Sequence, residues 1–337
     1  MGKERLDMVS VADFGAVGDG VTDDTAAFEQ AMQAAAETGN AVEVPAGVYA
    51  VGEMRVPPHI TLQGYAGWSR DAQGGSVLKL RDEEAVCLLD LTDAKGAVIC
   101  GLTLLGDNLG ECIHGIFAEY AACGALSDYY RIEDCKCQHF SGDGVHLVNV
   151  NKAAIHHCLF ADNRCGAVYD GRDLQFVDNR CCGNRECGFY AGEILLSGLC
   201  GTLFDENGTD GIRVDAARGL QLHSNVFERN GAAGAALCAS ADKMSEGVTV
   251  TGSNFRDNGL KAAPAESCHF SACFIDGLVL MGNTCGASDP ANVPECGFVI
   301  HHVENGTVSS NVLRGCARHT MRLDALRESA CAENNLV

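Results

Sequence analysis

The sequence predicts an all-β solenoid, a single-stranded parallel β-helix with coils of about 22 residues and a capping α-helix at its N-terminal end. Three observations predict it. Gly144, Gly166, Gly188, Gly211 and Gly234 recur at steps of 22, 22, 23 and 23 residues, and Asn163, Asn184, Asn207 and Asn230 keep nearly the same step. Each glycine is followed by apolar residues in alternation, Val145 and Leu147, Ala167 and Tyr169, Phe189 and Ala191, Ile212 and Val214, Ala235 and Leu237, which is the period of a strand. Forty glycines against six prolines call for many tight bends without the triplet of collagen. Leucine-rich repeats have similar periods, but their Leu-x-x-Leu-x-Leu signature and helical half are missing.

The elements follow in chain order. VSVADFGAVGDGVTDDTAAFEQAMQAAAETGN reads as a strand, a Gly-rich turn and an amphipathic helix from about Asp24 to Glu37, with Thr22 or Asp23 as N-cap and Gly39 as stop. Such a helix covers the open end of a solenoid, which otherwise exposes core and strand edges. The expected organisation is one structural domain: residues 1–55 as N-terminal cap and entry strands, 56–325 as β-helix, and 326–337 as C-terminal tail. In the repeats, coils stack at about 4.8 Å, like on like, with an Asn ladder at one corner. Cys165, Cys187 and Cys296 directly precede a glycine, and Cys137 and Cys181 stand seven before one, as small hydrophobes of the core. Past Gly259 the register loosens, and LKAAPAES and ASDPANVPE read as loops walling a groove or an oligomer contact.

Composition narrows the function. With 47% hydrophobic and 20% charged residues in 337, the chain can bury a sizeable core. Its 24 basic against 45 acidic residues give a charge of −21, which repels phosphate backbones and anionic lipid, so neither nucleic acid nor membrane is an expected partner. No stretch approaches the length of an apolar membrane span, and no basic segment leads an apolar run at the N-terminus, so a cytoplasmic protein is expected. Nineteen cysteines, an odd number in a chain of this size, read as reduced and buried thiols.

VADFGAVGDGVTDDTAAFEQAM (residues 11–32) and VEVPAGVYAV (residues 42–51) resemble the entry segment of the pectate-lyase-like superfamily of right-handed parallel β-helices. That superfamily includes polygalacturonase-type glycoside hydrolases, lyases, epimerases and phage tailspikes. The resemblance implies a right-handed coil and carbohydrate chemistry, and it makes Asp19, Asp23 and Asp24 turn and cap residues. It carries over no catalytic residue. The Asn-Thr-Asp, Asp-Asp, Gly-His-Gly and Arg-Ile-Lys series of polygalacturonases is absent, Asn207–Gly211 only faintly echoing the first, and so is the epimerase Asp-Pro-His. Inulin fructotransferases share the fold and enter by analogy alone.

A packed β-helix leaves no internal cavity, so a ligand must bind an exterior groove. Counted from each glycine, the first and third residues point inward and the second and fourth outward. The second column then reads His146, Val168, Tyr190, Arg213, Ala236, and the fourth Val148, Asp170, Gly192, Asp215, Cys238. Glu193 lies beside Gly192, and the earlier coil GIFAEY adds Phe117 and Glu119. His146, Asp170, Tyr190, Glu193, Arg213 and Asp215 are expected on one face of roughly 15 to 20 Å, the size of an oligosaccharide groove. Glycosidic cleavage needs one carboxyl group to protonate the leaving oxygen and a second to activate water or attack. Asp170, Glu193 and Asp215 take that role. His146, Tyr190, Arg213, Glu119 and Phe117 are assigned to binding an oligo- or polysaccharide that is hydrolysed or transferred without a cofactor.

Other readings stay open. A polysaccharide lyase or uronate epimerase needs a base and an acid, here His146 and Tyr190, with Arg213 neutralising the uronate carboxylate. The charge of −21 opposes a polyanionic substrate, though screening over about 8 Å lets one local arginine override it. A non-catalytic glycan binder like the tailspikes is the third reading, and a dimer or trimer suits it. The patch also has a purely structural reading, in which Arg213 pairs with Asp170 or Asp215 in a solvated ladder. Metal sites fare worse: Cys135 and Cys137, His156 and His157, Cys181, Cys182 and Cys187, and His301 and His302 match no zinc pattern. Calcium on Asp170 and Asp215 is the minor alternative that the lyase resemblance adds. Asn207-Gly208-Thr209 and Asn305-Gly306-Thr307 are glycosylation sequons, without consequence in a bacterial-type cytosol.

Overall fold

A computed structural model describes residues 8–39, 41–71, 74–124, 128–263, 267–326 and 331–336. They fall into two compact units, Met1–Arg164 and Cys165–Val337. Each is a stack of short parallel strands, so the fold is the all-β parallel solenoid that the glycine period predicts. Among the described residues one α-helix is present, Thr25–Thr38, and none is long and apolar enough to cross a membrane.

In the first unit three ladders of parallel strands run side by side. One stacks Asp19–Asp23, Gly47–Val51, Ser76–Leu80, Thr103–Leu105, Lys136–Gln138 and Leu159–Ala161. A second stacks Val9–Ser10, Val42–Glu43, Thr61–Gln63, Val98–Cys100, Tyr130–Glu133 and the second half of Val145–His156. The third joins Met54–Arg55, Cys87–Asp90 and His114–Glu119 to the first half of Val145–His156. The helix buries Ala27, Phe28, Ala31, Met32 and Ala35, and Phe28 meets the edge of Tyr49 at 5.2 Å. Its N-cap is Asp24, one or two residues beyond the expected Thr22 or Asp23, while Gly39 ends it in the left-handed region at φ 73° as expected. The Asp24 carboxylate accepts from the Val17 and Gly18 N–H groups, and it is Asp23 that accepts from Thr25 N–H. Asp19 closes a turn on Val21 and Thr22. All three aspartates thus hold local backbone, and Asp23 also pairs with Arg81.

In the second unit the coils bend at left-handed residues, and in two columns of these bends an amide or hydroxyl side chain follows. Gly183, Glu206, Arg229 and Asp257 have φ between 53° and 65°. The next residues, Asn184, Asn207, Asn230 and Asn258, form the predicted ladder: Asn184 Nδ2 donates to Asn207 Oδ1 at 2.9 Å, Asn207 to Asn230 at 2.8 Å and Asn230 to Asn258 at 2.9 Å. A second ladder, not read from the sequence, follows the left-handed residues Gly201, Ser224, Gly252, Gly282 and Ser310. It runs through Thr202, Asn225, Ser253, Asn283, Asn311 and Asn335, each backbone N–H donating to the next side chain. The ladder therefore continues past Gly259, while its step lengthens from 23 residues to 28 and 30, the loosening of the period that the sequence shows. Residues 331–333, in the segment expected as a tail, form a strand paired with Thr307–Ser309. Residues 327–330 and 337 of that segment, 264–266 of LKAAPAES and 1–7 at the N-terminus lie outside the described residues.

The periodic glycines answer a steric need rather than a dihedral one. A Cβ on Gly188 would stand 2.6 Å from Gly211 O, and one on Gly211 would stand 2.4 Å from Gly234 O, closer than real Cβ contacts come. Inside the unit, Phe204, Phe227 and Phe255 stack with centroids 5.3 and 4.8 Å apart, continuing the column of Cys181. The column is thus a mixed cysteine and phenylalanine stack rather than one of small residues alone. All nineteen cysteines are free thiols, twelve of them buried.

Asn207 is wholly buried, and its side chain serves Asn184 N–H, Cys181 C=O and Asn230 together. Asn207→Ala strands two buried backbone groups, and at roughly 1–3 kcal/mol for each it should cost about 3 kcal/mol in denaturant unfolding. An unchanged unfolding midpoint would show that the ladder does not carry the stack.

Candidate functional site

The alternation counted from the glycines is the observed register. In the first unit Phe117 pairs with His146 and Glu119 with Val148. In the second, Val168 pairs with Tyr190, Tyr190 with Arg213 and Arg213 with Ala236. Val145, Leu147, Phe189, Ala191, Ile212 and Val214 face the core. The outward column is not uniformly open, however, because Val168 and Ala236 are buried. Beyond Arg213 it becomes apolar, Ala236 packing with Ala233, Cys268, Cys296 and Val299.

In the second unit each expected carboxylate is already engaged. Asp170 Oδ1 accepts from Gly192 N–H at 2.5 Å and Glu193 N–H at 3.1 Å. This follows from a difference in bend length: Val168 pairs with Tyr190 and Gly171 with Ile194, so one extra residue lies on the second coil and its N–H groups turn toward Asp170. Glu193 forms an ion pair with Lys243 at 2.7 Å. Asp215 accepts from the Tyr190 hydroxyl at 2.8 Å and faces Arg213 Nε at 3.3 Å. The solvated pairing of Arg213 with Asp215 thus exists, and a longer contact at 3.9 Å adds Asp210. Burial, then the hydrogen bond to Asp215 and its charge, push the Tyr190 phenol up to about 12. A cavity of about 260 Å³ in this unit is lined by Ala241, Met244, Phe274, His302, Glu304 and Ala325, none of them an expected site residue.

In the first unit His146 is the centre of a buttressed cluster. The bend before Val145 carries Asp143, whose side chain is 0% exposed. His146 Nδ1 donates to Asp143 Oδ2 at 2.9 Å, while Arg164 donates through Nε to Oδ1 at 3.0 Å and through Nη2 to Oδ2 at 2.8 Å. His114 Nδ1 accepts from Asp143 N–H at 3.1 Å, and it also lies 3.3 Å from Oδ2, a contact that becomes a hydrogen bond when that ring is protonated. Burial would raise the Asp143 carboxyl, but the His114 ring beside it and the hydrogen bonds from His146 and Arg164 outweigh it and hold the group well below the usual carboxylate range. Phe117 stacks on His146 at 5.4 Å, the ring planes nearly parallel at 9°, and His114 lies 4.4 Å from the same ring.

With Nδ1 committed to Asp143, Nε2 of His146 keeps its lone pair, which is the arrangement of an oriented general base. His114, Asp143 and His146 also bring three ligand atoms within 4.8 Å of one another. The guanidinium on both oxygens of Asp143 places a positive charge where a metal ion would sit, so the set suits an imidazole base better than a cation. Asp170 and Asp215, named for the minor calcium alternative, spend oxygens on backbone N–H groups and on Tyr190 and Arg213 respectively. Of this cluster the sequence singled out His146 and Phe117 alone. His114, Asp143 and Arg164 lie outside the columns counted from the glycines, and the signal that could have found them is the Asp143-x-x-His146 spacing across a bend.

Comparison with known proteins sets the family. Residues 112–283, just over half of the chain, match the right-handed β-helix region family. Residues 8–75 match the rhamnogalacturonase A/epimerase, pectate lyase-like family, as the N-terminal resemblance implied. No curated protein matches. Among solved structures the chain is similar to the A-module of mannuronan C-5 epimerase AlgE6 from Azotobacter vinelandii, with a TM-score of 0.72, 19% identity and 97% of each chain covered. It is also similar to a hyperthermoactive exopolygalacturonase from Thermotoga maritima, at TM-score 0.60 and 12% identity over 97% of this chain and 93% of that one. A third is the enzymatically active domain of bacteriophage CBA120 tailspike protein 2, at TM-score 0.66 and 13% identity over 91% of this chain and 48% of that one. At these identities the likeness is one of fold.

Two titrations check the electrostatics. Because Asp143 titrates below its unfolded value, the stability it contributes is complete above the usual carboxylate range and is lost as pH falls through that range toward its folded value. Asp143→Asn should therefore melt below wild type at neutral pH, and the gap should close on acidification; a gap independent of pH would contradict the cluster. Asp215→Asn should bring the Tyr190 phenol down from about 12, as read by NMR of ring-labelled tyrosine.

Proposed function

The chain belongs to the right-handed β-helix family, and on that scaffold we propose that it is a carbohydrate-active enzyme in which His146 abstracts a sugar proton, as a uronate epimerase or lyase does. The observation that carries the reading is the imidazole held by a wholly buried aspartate that is itself clamped by an arginine. A buried Asp143–Arg164 pair costs desolvation, and a solvated surface ladder does not need one. It matches what a base requires, a fixed tautomer and a counter-charge for the imidazolium formed when the proton is taken. The proton at C5 of a uronate is acidic once the neighbouring carboxylate is neutralised, and Arg164, 35% exposed, places positive charge beside His146 in a chain of net charge −21. The resulting carbanion either takes a proton from water on the opposite face, giving the epimer, or expels the O4-linked sugar, whose oxygen takes a proton from water, leaving a C4–C5 double bond. Phe117, parallel to the imidazole, fixes the ring plane. The epimerase activity named for the Azotobacter protein of similar fold supports the same class.

Hydrolysis by Asp170, Glu193 and Asp215 is the second reading. It keeps one observation, an Asp215 side chain 39% exposed. The engagement of all three carboxylates places it second.

One assay with oligomannuronate and oligogalacturonate in deuterated water separates the readings. Deuterium at C5 marks epimerisation, ultraviolet-absorbing unsaturated ends mark elimination, and products heavier by one water per cut mark hydrolysis. His146→Ala should lower turnover about a thousandfold and Asp143→Asn about a hundredfold. Turnover insensitive to His146 but abolished in Asp215→Asn would move the chemistry to the carboxylates.

A further inference from the structure

Trp68 is the one tryptophan of the chain, and its side chain stands on the outside of the first unit. It is 56% exposed, yet its indole Nε1–H donates to His157 O at 2.8 Å. The two residues that follow are held just as firmly. Ser69 O accepts from Lys136 Nζ at 3.0 Å, and Arg70 O accepts from Gln138 Nε2 at 3.1 Å. The Arg70 guanidinium grips Asp162 with both Nε and Nη2, at 3.1 and 2.5 Å. Lys136 and Gln138 flank the inward Cys137 on their strand, so they point outward, and both are 0% exposed because this loop covers them. Three residues before the tryptophan, Tyr65 is 57% exposed and its hydroxyl donates to Glu43 Oε1 at 3.0 Å.

This arrangement runs against the ordinary economy of a surface loop. Covering a lysine ammonium is costly, and immobilising an aromatic side chain sacrifices its rotamer freedom; burial normally offsets both. Here half of each ring stays in water. An aromatic face fixed before the ligand arrives binds without a further entropy cost, and its rim is charged rather than apolar, carrying Glu43, Arg70 and Asp162. A flat apolar face edged by hydrogen-bonding groups matches a pyranose, whose axial C–H groups pack on the ring while its hydroxyls reach the rim.

We propose that the Tyr65–Arg70 loop is a preformed glycan-binding platform, with Trp68 stacking on a pyranose ring of an oligosaccharide. The ligand class is shared with the reading of His146, but the platform needs no chemistry at that residue.

The lone tryptophan makes the test direct. The full chain is titrated with hexamers of mannuronate, galacturonate and maltose while its tryptophan emission is recorded. A saturable change with at least one hexamer is expected, persisting in His146→Ala, with affinity about tenfold weaker in Trp68→Ala by calorimetry. Because Trp68→Ala also removes the bond to His157, iodide quenching of the unaltered protein supplies a second measurement: the bound hexamer must shield the indole. Emission unmoved by all three hexamers, an indole equally quenched in their presence, or an emission change that follows protein concentration without sugar would each overturn the platform. The last would make Trp68 a contact between copies. Loss of activity in His146→Ala with the emission change intact leaves both proposals standing, while an intact emission change with turnover insensitive to His146 removes the catalytic one alone.

Discussion

Everything in the second unit depends on one local arrangement, an asparagine placed one residue past a left-handed bend. A bend turns backbone N–H and C=O groups out of the strand ladder, and buried groups of that kind must find partners. The asparagine amide has both a donor and an acceptor, so Asn207 can take the Asn184 N–H on one side and give to Cys181 C=O on the other. Repeated through Asn230 and Asn258, these amides align head to tail inside the protein, where low polarity strengthens each bond. The ladder sets which residues superpose from coil to coil, and from that follows which side chains look outward together.

The candidate base shows the same logic in the first unit. Asp143 stands on the bend that leads into Val145–His156, and its own N–H is committed to His114. The bend that seats the coil therefore also seats the carboxylate, and the strand that follows delivers His146 three residues later to meet it. Orientation of the imidazole comes from backbone that the fold has already fixed, with little left to side-chain freedom.

Much of this was legible in the sequence because the solenoid writes its geometry locally. The glycine step, the inward and outward columns and the first asparagine ladder need only neighbours about one coil apart. The second ladder was not legible, since Thr202 and Ser253 replace the amide with a hydroxyl and break the visible repeat. The partners of the carboxylates were not legible for a finer reason: Asp170 faces backbone N–H groups because its coil is one residue shorter at the bend, a detail visible only once two coils are aligned. Contacts such as Trp68 to His157, 89 residues apart, carry no local signature.

The buried thiols have a consequence of their own. Burial pushes Cys137, Cys158 and Cys181 well above the ordinary thiol range, so at neutral pH they are protonated and shielded from electrophiles. Each sits in a known coil, and none is tied in a disulfide. An alkylating reagent can reach such a sulfur only when its coil opens, which turns the cysteines into a set of built-in clocks for local unfolding, each timing the breathing of the coil that contains it.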